Sequence, residues 1–209
     1  TGIPDCMNIY ADPVTGDARF CGTTASMCGV EKAAFERNEE AMDRAICFDV
    51  MLHAYMFMQS GIPVLYSGDE IGQLNDYTYK EDPDKAADSR YIHRGAMDWK
   101  LAENIQDMNT VQGRIFQGLK QLEEIRKTQK AFVSDADAWT IETGDQSVLC
   151  IARYYDGDKI IGVFNFSEYG KTIQIEENGD DYTDLIAGKK VRLNDVRIPA
   201  YGFYYYKKI

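Results

Sequence analysis

The run Ile62-Pro63-Val64-Leu65-Tyr66 constrains this chain more than any other stretch. It is apolar throughout, opens after Gly61 and stops at Ser67-Gly68-Asp69-Glu70. A helical apolar pattern over residues 35 to 59 runs into it. A long polar connection, residues 72 to 109, leaves it, and a second helical pattern covers residues 110 to 131. A short, wholly apolar run between two helices reads as a strand buried on both faces, as in a parallel sheet. Such β/α units gather functional groups at the carboxyl end of the strand. Here that end carries Asp69 and Glu70, and the connection behind it carries Asp76, Asp88, Arg90, His93 and Arg94.

In the first helical pattern Ala41, Ala45, Phe48, Leu52 and Tyr55 recur at helical spacing, and Met42, Ile46, Val50 and Met56 widen the stripe. The methionines read as packing. Gly61 suits the end of this helix. In the second, Val111, Ile115, Leu119, Leu122 and Ile125 form the apolar stripe, Thr110 suits the N-cap, and Arg126, Lys127 and Lys130 suit the C-terminal dipole. Residues 1 to 30 show no clear period and read as loop, with turn chemistry at Asp12-Pro13-Val14-Thr15-Gly16-Asp17.

From Phe132 onward the period becomes that of strands. The candidates are Trp139 to Glu142, Val148 to Tyr155, Ile160 to Phe166, Thr172 to Ile175, Tyr182 to Asp184, Lys190 to Leu193 and Val196 to Lys207. Asp-Gly and related turns separate them, as in an antiparallel sandwich. The expected organisation is therefore a β/α part over residues 1 to 131 and a β-sandwich domain over residues 132 to 209.

A net charge of -11 argues against nucleic acid and anionic membranes as partners. It is compatible with a neutral sugar but does not point to one, and an acidic surface kept for solubility is the better explanation. The five cysteines, Cys6, Cys21, Cys28, Cys47 and Cys150, are odd in number and show no C-x-x-C spacing. They read as buried reduced thiols in a cytoplasmic protein. With only His53 and His93 to assist, no metal site and no cofactor is expected, and His53 reads as a core residue.

One β/α unit cannot close a core. The faces of the helix and of the strand at Ile62 would stay open to water, forfeiting roughly 25 cal/mol per Å² of apolar surface. The expectation is that other polypeptide covers them, either more of the same protein ahead of Thr1 or a second copy.

Four segments resemble the α-amylase superfamily, glycoside hydrolase family 13, and within it the amylosucrase branch. Gly61 to Gly72 is similar to that family's eighth barrel strand and continues through Leu74-Asn75-Asp76. Asp12-Pro13-Val14-Thr15-Gly16-Asp17-Ala18-Arg19 resembles the loop after strand seven. Asp88-Ser89-Arg90-Tyr91-Ile92-His93-Arg94 resembles a sugar-pocket segment. Phe164 to Tyr169 and Asp184 to Lys189 resemble the C-terminal β-domain. The resemblance implies the last β/α segments of a (β/α)8 barrel, with the strand-seven loop, helix seven, strand eight, a long loop and helix eight. An antiparallel sandwich follows.

The family's chemistry is retaining glucosyl transfer or hydrolysis between two carboxyl groups. Its three catalytic carboxylates lie on strands four, five and seven, ahead of the region matched here. No catalytic residue is therefore expected in this chain, which alone should be inactive. By resemblance, Arg90 reaches the glucosyl ring and Arg19 shapes the acceptor side of the pocket mouth. Asp12 stands where amylosucrases have asparagine. Asp69, Glu70, Asp76 and Arg94 take structural roles nearby. Adjacent on an extended chain, Asp69 and Glu70 would face opposite ways and could not act on one bond. The partner implied is an α-glucan or a sucrose-type sugar. The competing reading is a non-catalytic carbohydrate- or partner-binding module, with Tyr154-Tyr155 and Tyr204-Tyr205-Tyr206 as a stacking surface. Alternation of these tyrosines between core and exposed face accounts for them as well.

Overall fold

A computed structural model describes residues 7–176 and 181–209. They form two compact units. One comprises the described residues up to Asp49 together with Leu65–Gln117, and the other comprises Val50–Val64 together with Gly118–Ile209. Every strand pairing among the described residues is antiparallel.

The first unit opens with a hairpin of β1 (Asn8–Ala11) and β2 (Ala18–Cys21). The sequence reading made this region loop. The strands escape a periodicity test because their apolar residues are not consistently buried: Ile9 and Phe20 are exposed. The hairpin is closed by its turn. Asp12 accepts from the Val14 and Thr15 amides at 2.8 and 3.0 Å, and the Asp12 amide donates to the Asp17 carbonyl at 2.8 Å. Two short helices follow, α1 (Thr24–Met27) and α2 (Val30–Glu36).

The first helical pattern is broken where one helix was expected. Arg37 adopts a left-handed conformation at φ 52°, and Asn38 then caps α3 (Glu39–Met58) by accepting from the Ala41 amide at 3.0 Å. The buried face of α3 is also rotated. Ala45, Ile46, Asp49, Met51, His53, Ala54, Phe57 and Met58 are buried, whereas Leu52, Tyr55 and Met56 are only half-buried. Two polar residues on the buried face mislead a purely apolar count. Cys47, expected to be buried, is exposed, and Cys28 is half-buried; Cys21 and Cys150 are buried as expected, and Cys6 lies outside the described residues.

The run at Ile62 stays open to water, as expected of a lone β/α unit. No described residue pairs with it as a strand, and Ile62 and Val64 are 88% and 77% exposed. A parallel strand needs hydrogen-bonded neighbours and cover on both faces. Apolarity alone fixes neither. The connection that follows is ordered by 3-10 turns at Asp69–Ile71, Thr78–Glu81 and Ser89–His93 and by the short helix α4 (Trp99–Ala102). Helix α5 (Val111–Thr128) matches its expected pattern closely. The Thr110 hydroxyl accepts from the Gly113 amide at 3.0 Å, and Ile115, Leu119, Leu122 and Ile125 are buried.

The second unit is built on a six-stranded sheet in the order β3-β4-β5-β10-β7-β8 and a two-stranded sheet β6-β9. The strands are β3 (Asp137–Ile141), β4 (Val148–Tyr155), β5 (Asp158–Asn165), β6 (Lys171–Ile173), β7 (Tyr182–Asp184), β8 (Lys189–Val191), β9 (Val196–Ile198) and β10 (Phe203–Lys208). Six of the seven expected strands are present within a few residues. The last was expected as one strand and is two. Pro199 has no amide to donate, Tyr201 turns at φ 52°, and the Gly202 amide closes the turn on the Pro199 carbonyl at 3.0 Å. Val148, Cys150, Ala152, Ile161 and Val163 pack on Ile173, Val196 and Ile198 of the smaller sheet. The opposite face of the large sheet meets α3's last turns and the 3-10 turn Lys130–Phe132. There Tyr205 donates its hydroxyl to the Ala54 carbonyl at 2.5 Å, and Tyr55 meets Phe164 edge-on at 5.7 Å.

Alternation therefore governs the tyrosine run. Tyr205 and Tyr206 are buried from opposite faces of the sheet, so they cannot form a stacking surface; Tyr154 and Tyr155 are exposed. The family-like segments of this domain turn out to hold turns. The buried Asn165 amide donates to the Tyr169 and Pro199 carbonyls, both at 2.8 Å, and Asp184 accepts from the Ile186 and Ala187 amides at 2.9 and 3.1 Å. Among the described residues no helix is long and apolar enough to cross a membrane.

Candidate functional site

The residues singled out from the sequence lie in the first unit, on the hairpin β1–β2 and on the connection from Asp69 to Arg94. Their common footing is a small apolar cluster. Cys21, Tyr79 and Ile92 are buried in it, with Tyr10, Tyr77 and Tyr91 packed around them. Polar links reinforce it. Asn8 donates to the Tyr79 hydroxyl at 2.8 Å, Ser89 donates to the Ile9 carbonyl at 3.3 Å, and the Asp76 amide donates to the Ile92 carbonyl at 2.8 Å. Asn75 ties the connection to α1, accepting from the Thr23 amide at 2.8 Å and donating its own amide to the Ser26 hydroxyl at 3.0 Å.

Arg90 stands on the 3-10 turn Ser89–His93, which Asp88 caps. One Asp88 oxygen accepts from the Arg90 amide at 3.0 Å and from Nε at 2.8 Å; the other accepts from Nη2 at 2.7 Å. The fork is two-pronged, the arrangement that makes arginine–carboxylate pairs specific. The guanidinium carbon lies 4.5 Å from the centre of the Tyr10 ring. With Asp88 on one edge and Tyr10 on one face, further N–H donors remain on a side chain that is 43% exposed.

The Arg90 hydrogen bonds hold the Asp88 carboxyl at about 2, below the usual carboxylate range; its backbone bond to Arg90 and the charges of Arg90 and Arg94 add to this. A depressed folded value means that the bridge contributes above the unfolded value of about 4 and is lost as pH falls through about 2. An NMR titration of the Asp88 carboxyl should accordingly show a midpoint near 2 that climbs toward 4 in Arg90→Ala. An unmoved midpoint would disprove the assignment to Arg90.

Arg19 pairs through Nη2 with Asp17 at 3.0 Å and is largely exposed. In the hairpin register it is opposite Tyr10, so their side chains share one face. Asp12 uses its carboxylate on the turn amides, which also depresses its pKa, Thr15 contributing most. An asparagine oxygen could cap the same turn. Asp76 accepts from the Thr78 amide and hydroxyl at 2.9 and 2.6 Å. Arg94 lies 4.0 Å from Asp88 and 5.4 Å from the Tyr91 ring centre. Burial lowers the His93 pKa, with Arg94 next in effect, and its ring meets Tyr66 edge-on at 5.7 Å.

Asp69 and Glu70 are not on extended chain. They form a 3-10 turn after Gly68, whose φ of 102° only glycine adopts readily. Asp69 accepts from the Tyr66 amide at 3.3 Å and Glu70 from the Gly68 amide at 2.9 Å. Both carboxylates brace the turn they belong to.

Tyr10 and Asp88, the two groups that contact the Arg90 guanidinium, have no role assigned from the sequence. A signal for Tyr10 was present. It lies two residues before the Asp12–Asp17 turn, and Arg19 lies two residues after it. Any hairpin on that turn places them opposite each other.

No protein-family model matches the chain. A glucosylglycerate phosphorylase of Escherichia coli K12 is 28% identical over 137 residues, 65% of this chain and 24% of the relative. Among solved structures, AmyP in complex with maltose superposes with a TM-score of 0.62 at 19% identity, covering 78% of this chain and 35% of that one. A trehalose-6-phosphate hydrolase of Bacillus licheniformis gives 0.56 at 18% identity, covering 78% and 38%. A maltogenic amylase from S. marinus gives 0.53 at 22% identity, covering 77% and 19%. These neighbours are α-amylase-family enzymes. The chain thus spans about a quarter of the curated relative and between a fifth and two fifths of the solved chains, and over that span it shares their fold.

Proposed function

We propose that this chain is the closing part of an α-amylase-family enzyme of the amylosucrase type. In this reading residues 1 to 131 complete the barrel and residues 132 to 209 form its C-terminal sandwich. The protein works in the cytoplasm on a sucrose-type donor or an α-glucan. The observation that carries the reading is the order of the family-like segments along a chain whose fold recurs in α-amylase-family structures.

The chemistry is retaining. One carboxylate attacks the anomeric carbon, and a second protonates the leaving oxygen and then activates the acceptor. Those groups belong to the part of the barrel ahead of this chain. Here Arg90, Arg19 and Asp12 hold substrate. Arg90, braced by Asp88, offers parallel donors to sugar hydroxyls in a fixed plane. Asp69, Glu70, Asp76 and Arg94 keep the surrounding turns in shape. The exposed run from Ile62 to Tyr66 is the eighth strand, covered by the rest of the barrel or by a second copy.

The test is to supply the full-length protein with sucrose, with and without inorganic phosphate. Fructose release without phosphate is expected. Release only with phosphate, giving glucose 1-phosphate, would place the protein with phosphorylases such as the E. coli relative. No fructose in either condition would remove sucrose as donor. A binding module would instead take up maltooligosaccharide and turn over nothing.

A further inference from the structure

We propose that Tyr10 is the positioning residue for Arg90, its ring fixing the plane in which the guanidinium presents its remaining donors. The inference rests on the reading of Arg90 as a sugar-holding residue. Asp88 grips one edge of the guanidinium, at 2.7 and 2.8 Å. That two-pronged grip holds one edge of the guanidinium and leaves its faces without support. The Tyr10 ring, 4.5 Å away, backs one of those faces, and a cation over an aromatic face is attracted to it.

Tyr10 is itself anchored through the two residues before it. Asn8 is bonded to Tyr79, and the Ile9 carbonyl receives the Ser89 hydroxyl from the residue next to Arg90. Its cross-strand partner is Arg19, so the residue that seats Arg90 also shares a face with the second proposed sugar-holding arginine. The hairpin thereby couples the two arginines, although the sequence separates them by a long helix and a loop.

The test uses the full-length protein with Tyr10→Phe, Tyr10→Leu and Tyr10→pentafluorophenylalanine, the last keeping the shape but reversing the ring's charge distribution. Two readouts are taken: hydrogen exchange of the Arg90 Nε proton by NMR, and kcat and KM separately for glucosyl release. Tyr10→Phe should stay within about twofold in both. Tyr10→Leu and the fluorinated ring should speed exchange about tenfold and lower kcat/KM about fivefold, mostly in kcat. A merely structural role would leave the fluorinated variant like Tyr10→Phe, and that result overturns the proposal. So does faster exchange with unchanged kinetics in an active enzyme. If the unsubstituted protein releases no glucosyl group from any donor, the sugar reading fails, and exchange alone decides whether Tyr10 holds Arg90. If Tyr10→Leu does not fold, the fluorinated variant, of the same shape, still decides.

Discussion

Replacing Arg153 by methionine should cost the protein about 3 to 5 kcal/mol of stability, read as a lower urea midpoint with an unchanged m-value. Arg153 is in β4 and is fully buried. Among the described residues it has no carboxylate partner. Nε donates to the Ala131 carbonyl at 2.7 Å, Nη2 to the Val133 carbonyl at 2.8 Å, and Nη1 to the Met58 carbonyl and the Ser60 hydroxyl at 3.1 and 3.2 Å. Met58 ends α3, where carbonyls have no intrahelical donor and the dipole is negative. Arg126 serves the same end, donating to the Phe57 carbonyl and, at 2.6 Å, to the Gly61 carbonyl.

Burial depresses the pKa of both arginines, and Arg126 adds to the effect on Arg153. The helix terminus is what offsets one buried and one half-buried cation side by side. Apolar replacement of a buried ion pair can be nearly neutral because both charges leave together. Here the carbonyls stay, and each one left buried without a donor costs about 1 to 3 kcal/mol. Arg153→Lys should recover little, since one ammonium cannot reach acceptors arranged around a planar fork. A loss below about 1 kcal/mol in Arg153→Met would mean that water or another donor replaces the guanidinium.

Arg90→Ala should lower kcat/KM for glucosyl transfer in the full-length protein about 100-fold, the usual effect of removing one preorganised donor at a reacting centre. Arg90→Lys should stay close to that loss, because an ammonium reproduces neither the fork on Asp88 nor the seat on Tyr10. Thermal stability should hardly move in either variant. The Arg90–Asp88 bridge is partly exposed, with side chains 43% and 23% accessible, and solvent screening leaves such pairs little effect on stability. The contrast between a large kinetic and a small thermal effect separates substrate holding from a surface salt bridge. Near-normal turnover in Arg90→Ala would remove Arg90 from the site.

The two arginines differ in how far the sequence exposes them. Arg90 belongs to a recognisable polar segment, and its carboxylate partner is two residues away. Arg153 interrupts an otherwise apolar strand and looks like an ordinary outward-facing position; only the packing of α3's end against that face makes it a buried cap. Tyr10 is intermediate. Its pairing with Arg19 follows from the turn between them, but its contact with Arg90 joins residues 80 apart. No local pattern encodes that distance. Asp69 and Glu70 show the reverse error, where an apolar run led the reading to extend strand geometry past Gly68.

By itself the sequence determined what depends on neighbours along the chain: the stripe and cap of α5, the Asp-Gly and related turns, six sandwich strands, and the segments that resemble a family. These are set by 3.6- and 2-residue periods and by side chains that bond their own backbone. Only the tertiary structure decided which face of α3 is buried, where Val196 to Lys207 changes sheets, and which ring lies under Arg90. It also decided that Ile62 to Tyr66 has no strand partner among the described residues. Each of these turns on groups distant in sequence meeting in space, and that information is carried by packing as a whole.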